Sequence, residues 1–476
     1  MSKVTAKQIA PFLVLALVAI GALFIKPDVV LGTHEQYNSA DIAWIIVATA
    51  LVFLMTPGLA FFYGGMVHRK NVISTMIKSV VAAGVVGVLW VVVGFSLAFG
   101  ESYGGFIGDP TTYLFFQGVL SGAPVLGPGA GETAVKLTIP LGLFAIFQMM
   151  FAIITPGLVV GAVAERIRFT SYILFTVLFS LLVYAPLAHW SWSPEGFLFK
   201  MGALDFAGGT VVHISAGCAA LAGALVLKRR KSHREHREIP PANVPYVLIG
   251  TGLLWFGWFG FNAGSALGAN ALSVSAFATT NTAAAAAGLA WMFFDVSRGK
   301  KPSVLGFCIG AVVGLVAITP AAGFVSIPHS IIVGMVAAIV SNFAVYYKQK
   351  SSLDDTLDVF PCHGIGGMVG MLLTGIFATK AIGNTSVTEE GWFISGSASF
   401  FLTQVKAMAI VVAYSFIVSF LIFKFINFIL PLRVSEEEEE IGLDASQHNE
   451  KYLQGHLIIP ANGKVKESLI EAESYK

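Results

Sequence analysis

Two histidines, His213 and His363, lie inside long uncharged stretches of a 476-residue chain. Imidazole is the side chain that can donate, accept or relay a proton near neutral pH. Ionisable groups within an apolar span are costly, and they face a bundle interior or a pathway. Each histidine therefore has two readings, a structural partner for a carbonyl on a neighbouring helix or one member of a paired polar path. A metal site needs three or four ligands, and no Asp, Glu or Cys recurs at helical spacing beside either residue. Cys362 adjoins His363 and is expected to point elsewhere, so neither a metal nor any other cofactor is expected. No nucleophile–base pair is visible either, which argues against an enzyme. A second polar and aromatic group stands in the run FGWFGFNAGSA, with Trp258, Phe259, Phe261 and Asn262, and Ser265 just beyond. Membrane aromatics are by default lipid-facing or interfacial, and small residues between them permit close helix packing.

The elements that must hold these residues are membrane helices. Charged residues make up 12% of the chain and hydrophobic ones 56%, whereas soluble domains carry roughly 25% charged residues. A net charge of +2 gives no argument for nucleic acid, and the three cysteines show neither disulfide nor metal spacing. A spanning helix needs about 20 mostly apolar residues. Stretches free of Asp, Glu, Lys and Arg predict spans at Ile42–Gly65, Ser79–Gly100, Leu137–Ala164, Phe169–Pro194 and Phe206–Leu227. Ile239–Phe294 is too long for one helix and is expected to break within Asn262–Ser275. Pro302–Tyr347 is expected to break within Thr319–Pro328. Val359–Thr379 and a segment from Ser399 to Phe428 complete eleven spans, with Lys406 near one end of the last.

Loops after the odd-numbered spans hold 16 Lys and Arg residues, Lys78 among them, whereas the others hold only Lys136, Lys200 and Lys380. The basic loops are the cytoplasmic ones. The core then begins outside and the C-terminus lies in the cytoplasm. Lys3 and Lys7 before the uncharged run Ile9–Ile25 have the pattern of a signal peptide. No clean cleavage site follows, so a retained twelfth helix is the alternative. The organisation expected is a leader or extra helix over 1–40, a membrane domain over 41–430 and a cytoplasmic tail over 431–476.

The first five spans and the next five have similar lengths and Gly/Pro interruptions. Five being odd, the second set would be inverted, with a site at the interface of the repeats. His213 and His363 fall at corresponding places, following Asp205 and Asp358 respectively.

Five segments carry a family resemblance: TPGLAFFYGGMVHRKN (Thr56–Asn71), GLVVGAVAERIRF (Gly157–Phe169), DFAGGTVVHISAG (Asp205–Gly217), GWFGFNAGSA (Gly257–Ala266) and DVFPCHGIGGMVG (Asp358–Gly370). In this order they resemble the ammonium transporter family (Amt/Mep/Rh), over about residues 41–450. The resemblance implies an all-α polytopic fold, with eleven helices in a five-plus-five inverted repeat plus one. It also implies a homotrimer in the inner (plasma) membrane with ammonium or ammonia as substrate. By the same resemblance, Trp192 and Ser265, beside Phe151, look like an outer ammonium-recruitment site of the microbial Amt branch. Phe151 and Phe261 look like a stacked gate, His213 and His363 like twin pore histidines, and Asp205 like the carboxylate organising the outer end. Tyr184, Phe206, Trp258 and Asn262 fall at supporting positions. An ammonium sensor of the same fold is the alternative. The family's tail motif is only approximated, by Gly442-Leu443-Asp444 and His448-Asn449-Glu450. A PII-type nitrogen-regulatory partner at the cytoplasmic face is implied by resemblance alone. The Gly/Pro-rich segment Glu101–Lys136 departs from the family and shapes the outer vestibule differently.

Overall fold

Apolar runs in a medium without water must close their backbone hydrogen bonds internally, which selects helices. The computed structural model describes residues 6–30, 34–126 and 135–452. Lys3, the 127–134 part of the outer segment and the tail beyond Tyr452 lie outside them.

An N-terminal helix α1 (Ala6–Ala22) precedes the core. Helices then form at all eleven expected segments. The first six are α2 (Ser39–Met66), α3 (Arg69–Phe99), α4 (Leu141–Val163), α5 (Phe169–Lys200), α6 (Gly209–Leu227) and α7 (Val244–Gly264). They are followed by α8 (Ala271–Ser297), α9 (Val304–Ile318), α10 (Ile327–Gln349), α11 (Phe360–Phe377) and α12 (Ser399–Ile429). Among the described residues, nine of these are long and apolar enough to cross a membrane; α9 is shorter and α8 is less apolar.

The two over-long apolar runs break where a polar side chain caps the next helix. Asn270 accepts from the Ser273 N–H to start α8, and Ser326 accepts from the His329 N–H to start α10. Outside the bundle, two short antiparallel ribbons form: β1 (Ser102–Tyr103) with β2 (Ile107–Gly108), and β3 (Val125–Leu126) with β4 (Val135–Lys136). The tail adds α13 (Glu436–Ile441) and α14 (Leu443–His448).

One expectation needs correction. Lys78 is not in a loop: it stands inside α3 and is 1% exposed. Its ammonium folds back one turn, donating to the Ser74 carbonyl (3.0 Å) and to Ser74 Oγ (2.5 Å). A search for charge-free stretches cuts such a residue out of its own helix. The tail closes the same helix end, because Asp444 accepts from the Ile73 and Ser74 N–H groups at 3.1 and 2.7 Å.

The bundle centres on the crossing of α6 and α11. A Cβ on Gly217 would lie 2.2 Å from the Gly364 backbone nitrogen, and one on Gly367 would lie 3.2 Å from His213 Cβ. Each glycine stands four residues after a histidine, so each half lends the other the room its imidazole needs. Gly217→Ala should therefore force the two backbones apart and cost about 1–3 kcal/mol. Gly84→Ala, whose Cβ meets nothing within 4 Å, should be neutral or slightly stabilising. Apparent melting temperatures of the two detergent-solubilised variants test this, and equal shifts would refute the tight crossing.

Candidate functional site

The site is built from two helix starts. The first turn of α6, Gly209–Ile214, is π-helical and carries His213; the first turn of α11, Phe360–Ile365, is also π-helical and carries His363. Such wide turns are rare and frequent at functional sites. A helix start leaves unpaired N–H groups, and inside a protein these need an acceptor. Asp205 supplies it for α6: its carboxylate accepts from the N–H of Gly208 (2.9 Å), Gly209 (2.6 Å) and Thr210 (2.7 Å), and from the Thr210 hydroxyl. Gly208 makes the wrap possible by taking φ 119°, which a side chain would oppose.

In the other half the corresponding acid is Asp355, and this corrects the expected pairing with Asp358. Asp355 accepts from Val359 N–H at 3.0 Å and from Phe360 N–H at 2.7 Å. Eight residues separate it from His363, the spacing that separates Asp205 from His213. That repeated offset was the available signal. Asp358 instead pairs with Lys348 Nζ at 2.7 Å.

The two histidines meet. His213 Nδ1 and His363 Nδ1 stand 3.3 Å apart, with nearly parallel rings (25°). One Nδ1 must therefore donate and the other accept, and the sharing fixes opposite tautomers. His213 Nε2 is buried without a protein partner and is left for a small guest. The pair borders a narrow cavity walled by Leu59, Ile154, Leu158, Leu254, Val312 and Trp258. The space open to a water-sized molecule is about 10 Å³, room for about one. Cys362 packs in a different apolar cluster.

Above the pair lies an aromatic stack. His213 is followed by Trp258 (5.4 Å between centroids, 18°) and Phe261 (6.0 Å). Phe261 lines the cavity and packs on Phe151 at 4.3 Å. Trp192 meets Phe151 edge-on at 5.9 Å and donates its N–H to the Asp205 carbonyl at 3.0 Å. Ser265 stands one turn beyond Phe261, half-buried, its hydroxyl donating to the Phe261 carbonyl at 2.8 Å. Trp258 is fixed by a bond from its indole N–H to Thr319 (2.9 Å) and Asn262 by one to Thr280 (2.9 Å).

Tyr184 and Phe206 are not brought to the cavity. Tyr184 packs its ring against Trp90, and Phe206 packs edge-on against Phe324. Conversely, Phe147 was missed, although it stands one turn from Phe151 and touches its ring edge-on at 4.9 Å. Among 38 phenylalanines no local signal separates it. The described residues hold no group of three or more His, Cys, Asp or Glu placed for a metal.

At the opposite end an ion network ties the loops together. Arg230 pairs with Glu165 at 2.5 Å and with Asp354 at 2.8 Å, all three largely buried. Burial works against both carboxylates, but Arg166 and Arg230 hold Asp354 well below the usual range, and Arg230 with the His68 N–H holds Glu165 down. Asp355 goes the other way: burial, with Asp358 nearby, pushes it up to about 6 despite Lys348 and its two N–H bonds.

A small apolar cavity between membrane helices, bordered by a histidine pair and an aromatic stack, suits a multi-pass membrane protein that handles a very small solute. The comparisons give the family. A model described as the Ammonium Transporter Family matches residues 43–452. A putative ammonium transporter of Methanothermobacter thermautotrophicus is 46% identical over 415 residues, 87% of this chain and 98% of that protein. The crystal structure of Saccharomyces cerevisiae Mep2 superposes with a TM-score of 0.77 at 35% identity, covering 85% of this chain and 92% of that one. A structure described as a sensor Amt protein gives 0.77 at 30% identity, covering 86% and 98%. The chain belongs to the ammonium transporter family.

The raised Asp355 makes stability pH-dependent with a definite sign. A carboxyl that is higher in the folded than in the unfolded state binds its proton more tightly when folded, so it favours folding in acid. This contribution is full below pH ~3.9, the unfolded value, and is lost as pH rises through about 6. Asp355→Asn should flatten the wild-type decline in melting temperature between pH 4 and 6. An unchanged slope would remove Asp355 as its source.

Proposed function

We propose that this chain takes up ammonium from the outer side, strips one proton at the aromatic gate and conducts ammonia past His213 and His363. The observation that carries this reading is the Nδ1–Nδ1 contact of 3.3 Å beside an apolar cavity lined by Phe261, whose ring packs on Phe151. Trp192 offers a cation an aromatic face worth about 0.5–2 kcal/mol. Ser265 Oγ keeps acceptor capacity for an N–H, which potassium does not have. Neither contact selects strongly by itself. The dry constriction does, since moving an intact cation through it costs several kcal/mol or more. Potassium has no proton to give up and stops there, whereas ammonium leaves as neutral ammonia. The free Nε2 of His213 then offers ammonia a hydrogen bond, and the imidazole pair can relay the released proton separately.

The basic loops support a membrane orientation with the core's start outside and the tail in the cytoplasm. All eleven core helices spanning the inner (plasma) membrane, a homotrimer with one path per subunit, and a PII-type partner at the cytoplasmic face complete the proposal. A sensing role with little flux is the second reading, favoured by the likeness to the sensor Amt protein. Flux in proteoliposomes separates the two readings, since a sensor should carry almost none.

Electrical and pH recordings on reconstituted protein test the mechanism. Wild type should respond to ammonium and ignore potassium. His213→Ala and His363→Ala should each lower the ammonium response, by about 10-fold or more if a hydrogen bond of roughly 1.5 kcal/mol to the guest is lost. Wild-type rate and selectivity in the double alanine variant would sink the proposal. Phe151→Ala with Phe261→Ala should weaken discrimination against potassium without removing flux.

A further inference from the structure

One side chain from α12 holds the loop that leads into Asp205. Gln404 stands in the second turn of that helix, fully buried. Its Oε1 accepts from the Leu204 N–H at 2.9 Å, and its Nε2 donates to the Leu204 carbonyl at 2.8 Å. Gly375 on α11 leaves room for the stem, since a Cβ there would lie 3.2 Å from Gln404 Cγ. Leu204 itself is buried in a cluster with Phe324, Ala378 and Phe400. A buried backbone N–H and C=O need partners, and for Leu204 both come from this one amide.

The amide thereby fixes two consecutive peptide groups, Ala203–Leu204 and Leu204–Asp205. The next, Asp205–Phe206, is fixed through its N–H, which donates to the Pro320 carbonyl at 3.2 Å. The carbonyl of that same peptide is the one that accepts from the Trp192 indole at 3.0 Å. Peptide groups are planar, so anchoring the plane on each side of Asp205 leaves its φ and ψ little freedom. Its carboxylate is then aimed at the start of α6 and its carbonyl at Trp192. The other half has the same device in a different form. Asp354, the residue before Asp355, has its carbonyl held by the buried Arg166 guanidinium. Each capping acid thus follows a clamped residue, and in the first half the clamp comes from α12.

We infer that Gln404 is a positioning residue for the aromatic approach: it sets the Asp205 peptides so that the Trp192 ring stands against Phe151, where it meets a solute. The consequence for ammonium recruitment rests on the function proposed above; the placing of Trp192 does not. Gln404 touches neither the cavity nor the solute and acts through the Leu204–Asp205 backbone.

Two readouts on the purified full chain test this. Fluorine NMR of protein labelled with 5-fluorotryptophan follows Trp192, its resonance assigned by its loss in Trp192→Phe. Initial uptake rates into proteoliposomes at rising ammonium concentration give KM and the maximal rate. Gln404→Met keeps the side-chain length and removes both hydrogen bonds, so it should shift the Trp192 resonance. It should also raise KM by about 2- to 30-fold, the span that losing an aromatic face for a cation would give, with the maximal rate nearly unchanged. Combined with Trp192→Ala, it should add nothing to the KM of Trp192→Ala alone. Gln404→Glu is the conservative partner. Its protonated acid can accept from the Leu204 N–H and donate to the Leu204 carbonyl, so KM should match wild type at acid pH and rise above it as the acid ionises. If Gln404→Met does not elute as folded protein, Gln404→Glu carries both readouts. An unmoved Trp192 resonance, or KM effects that multiply in the double variant, overturns the positioning role. A moved resonance with wild-type KM upholds it and refutes Trp192 as the recruiting face, which keeps the two failures apart.

Discussion

A helix that begins inside a membrane-embedded bundle presents N–H groups with no water to receive them, and the rest of this structure follows from how that problem is solved. Asp205 gathers the amides at the start of α6 and Asp355 those at the start of α11. With both ends satisfied, the first turns can widen into π-helical geometry and aim one imidazole each at the centre. The Asp205 carbonyl also fixes Trp192, so one residue sets both the aromatic approach and the direction of His213. Asp355 accepts from two amides and sits beside Asp358 and Lys348.

In the proposed function, the path between the two ends works by withholding solvation. Its walls are aliphatic and aromatic, its width admits about one water-sized molecule, and its polar atoms belong to one imidazole pair. That composition penalises charge and tolerates a small hydrogen-bonding neutral molecule. On the proposed mechanism, selectivity comes from the chemistry of the solute, since the ion that can lose a proton passes and the one that cannot is stopped. Rigid surroundings are needed for such a narrow path to persist. The loops at the other end provide them through Arg230 with Glu165 and Asp354, and through Asp444 on the start of α3.

How far this could be read in advance varied with the length scale of the cause. Helix positions were legible because each residue's preference for water or hydrocarbon is its own property. The cap residues Asn270 and Ser326 fell inside the two breaks expected from polarity. Of the residues assigned by resemblance, Phe151, Phe261, Trp192, Trp258, His213 and His363 come together, while Tyr184 and Phe206 stand apart from the cavity. Lys78 was misplaced because its charge hides a local solution, an ammonium bonded one turn back along its own helix.

By itself the sequence determined that the chain lives in a membrane, where along it the helices lie, and that two histidines recur at matching places of two halves. Those are local properties of composition and spacing. Tertiary structure alone decided that the two imidazoles share a hydrogen bond across 150 residues of chain, that Asp355 rather than Asp358 caps the second half, and that Phe147 packs edge-on against Phe151. Each of these depends on which backbones approach closely enough to touch. At the α6–α11 crossing, that approach is set by glycines that leave no space for a side chain.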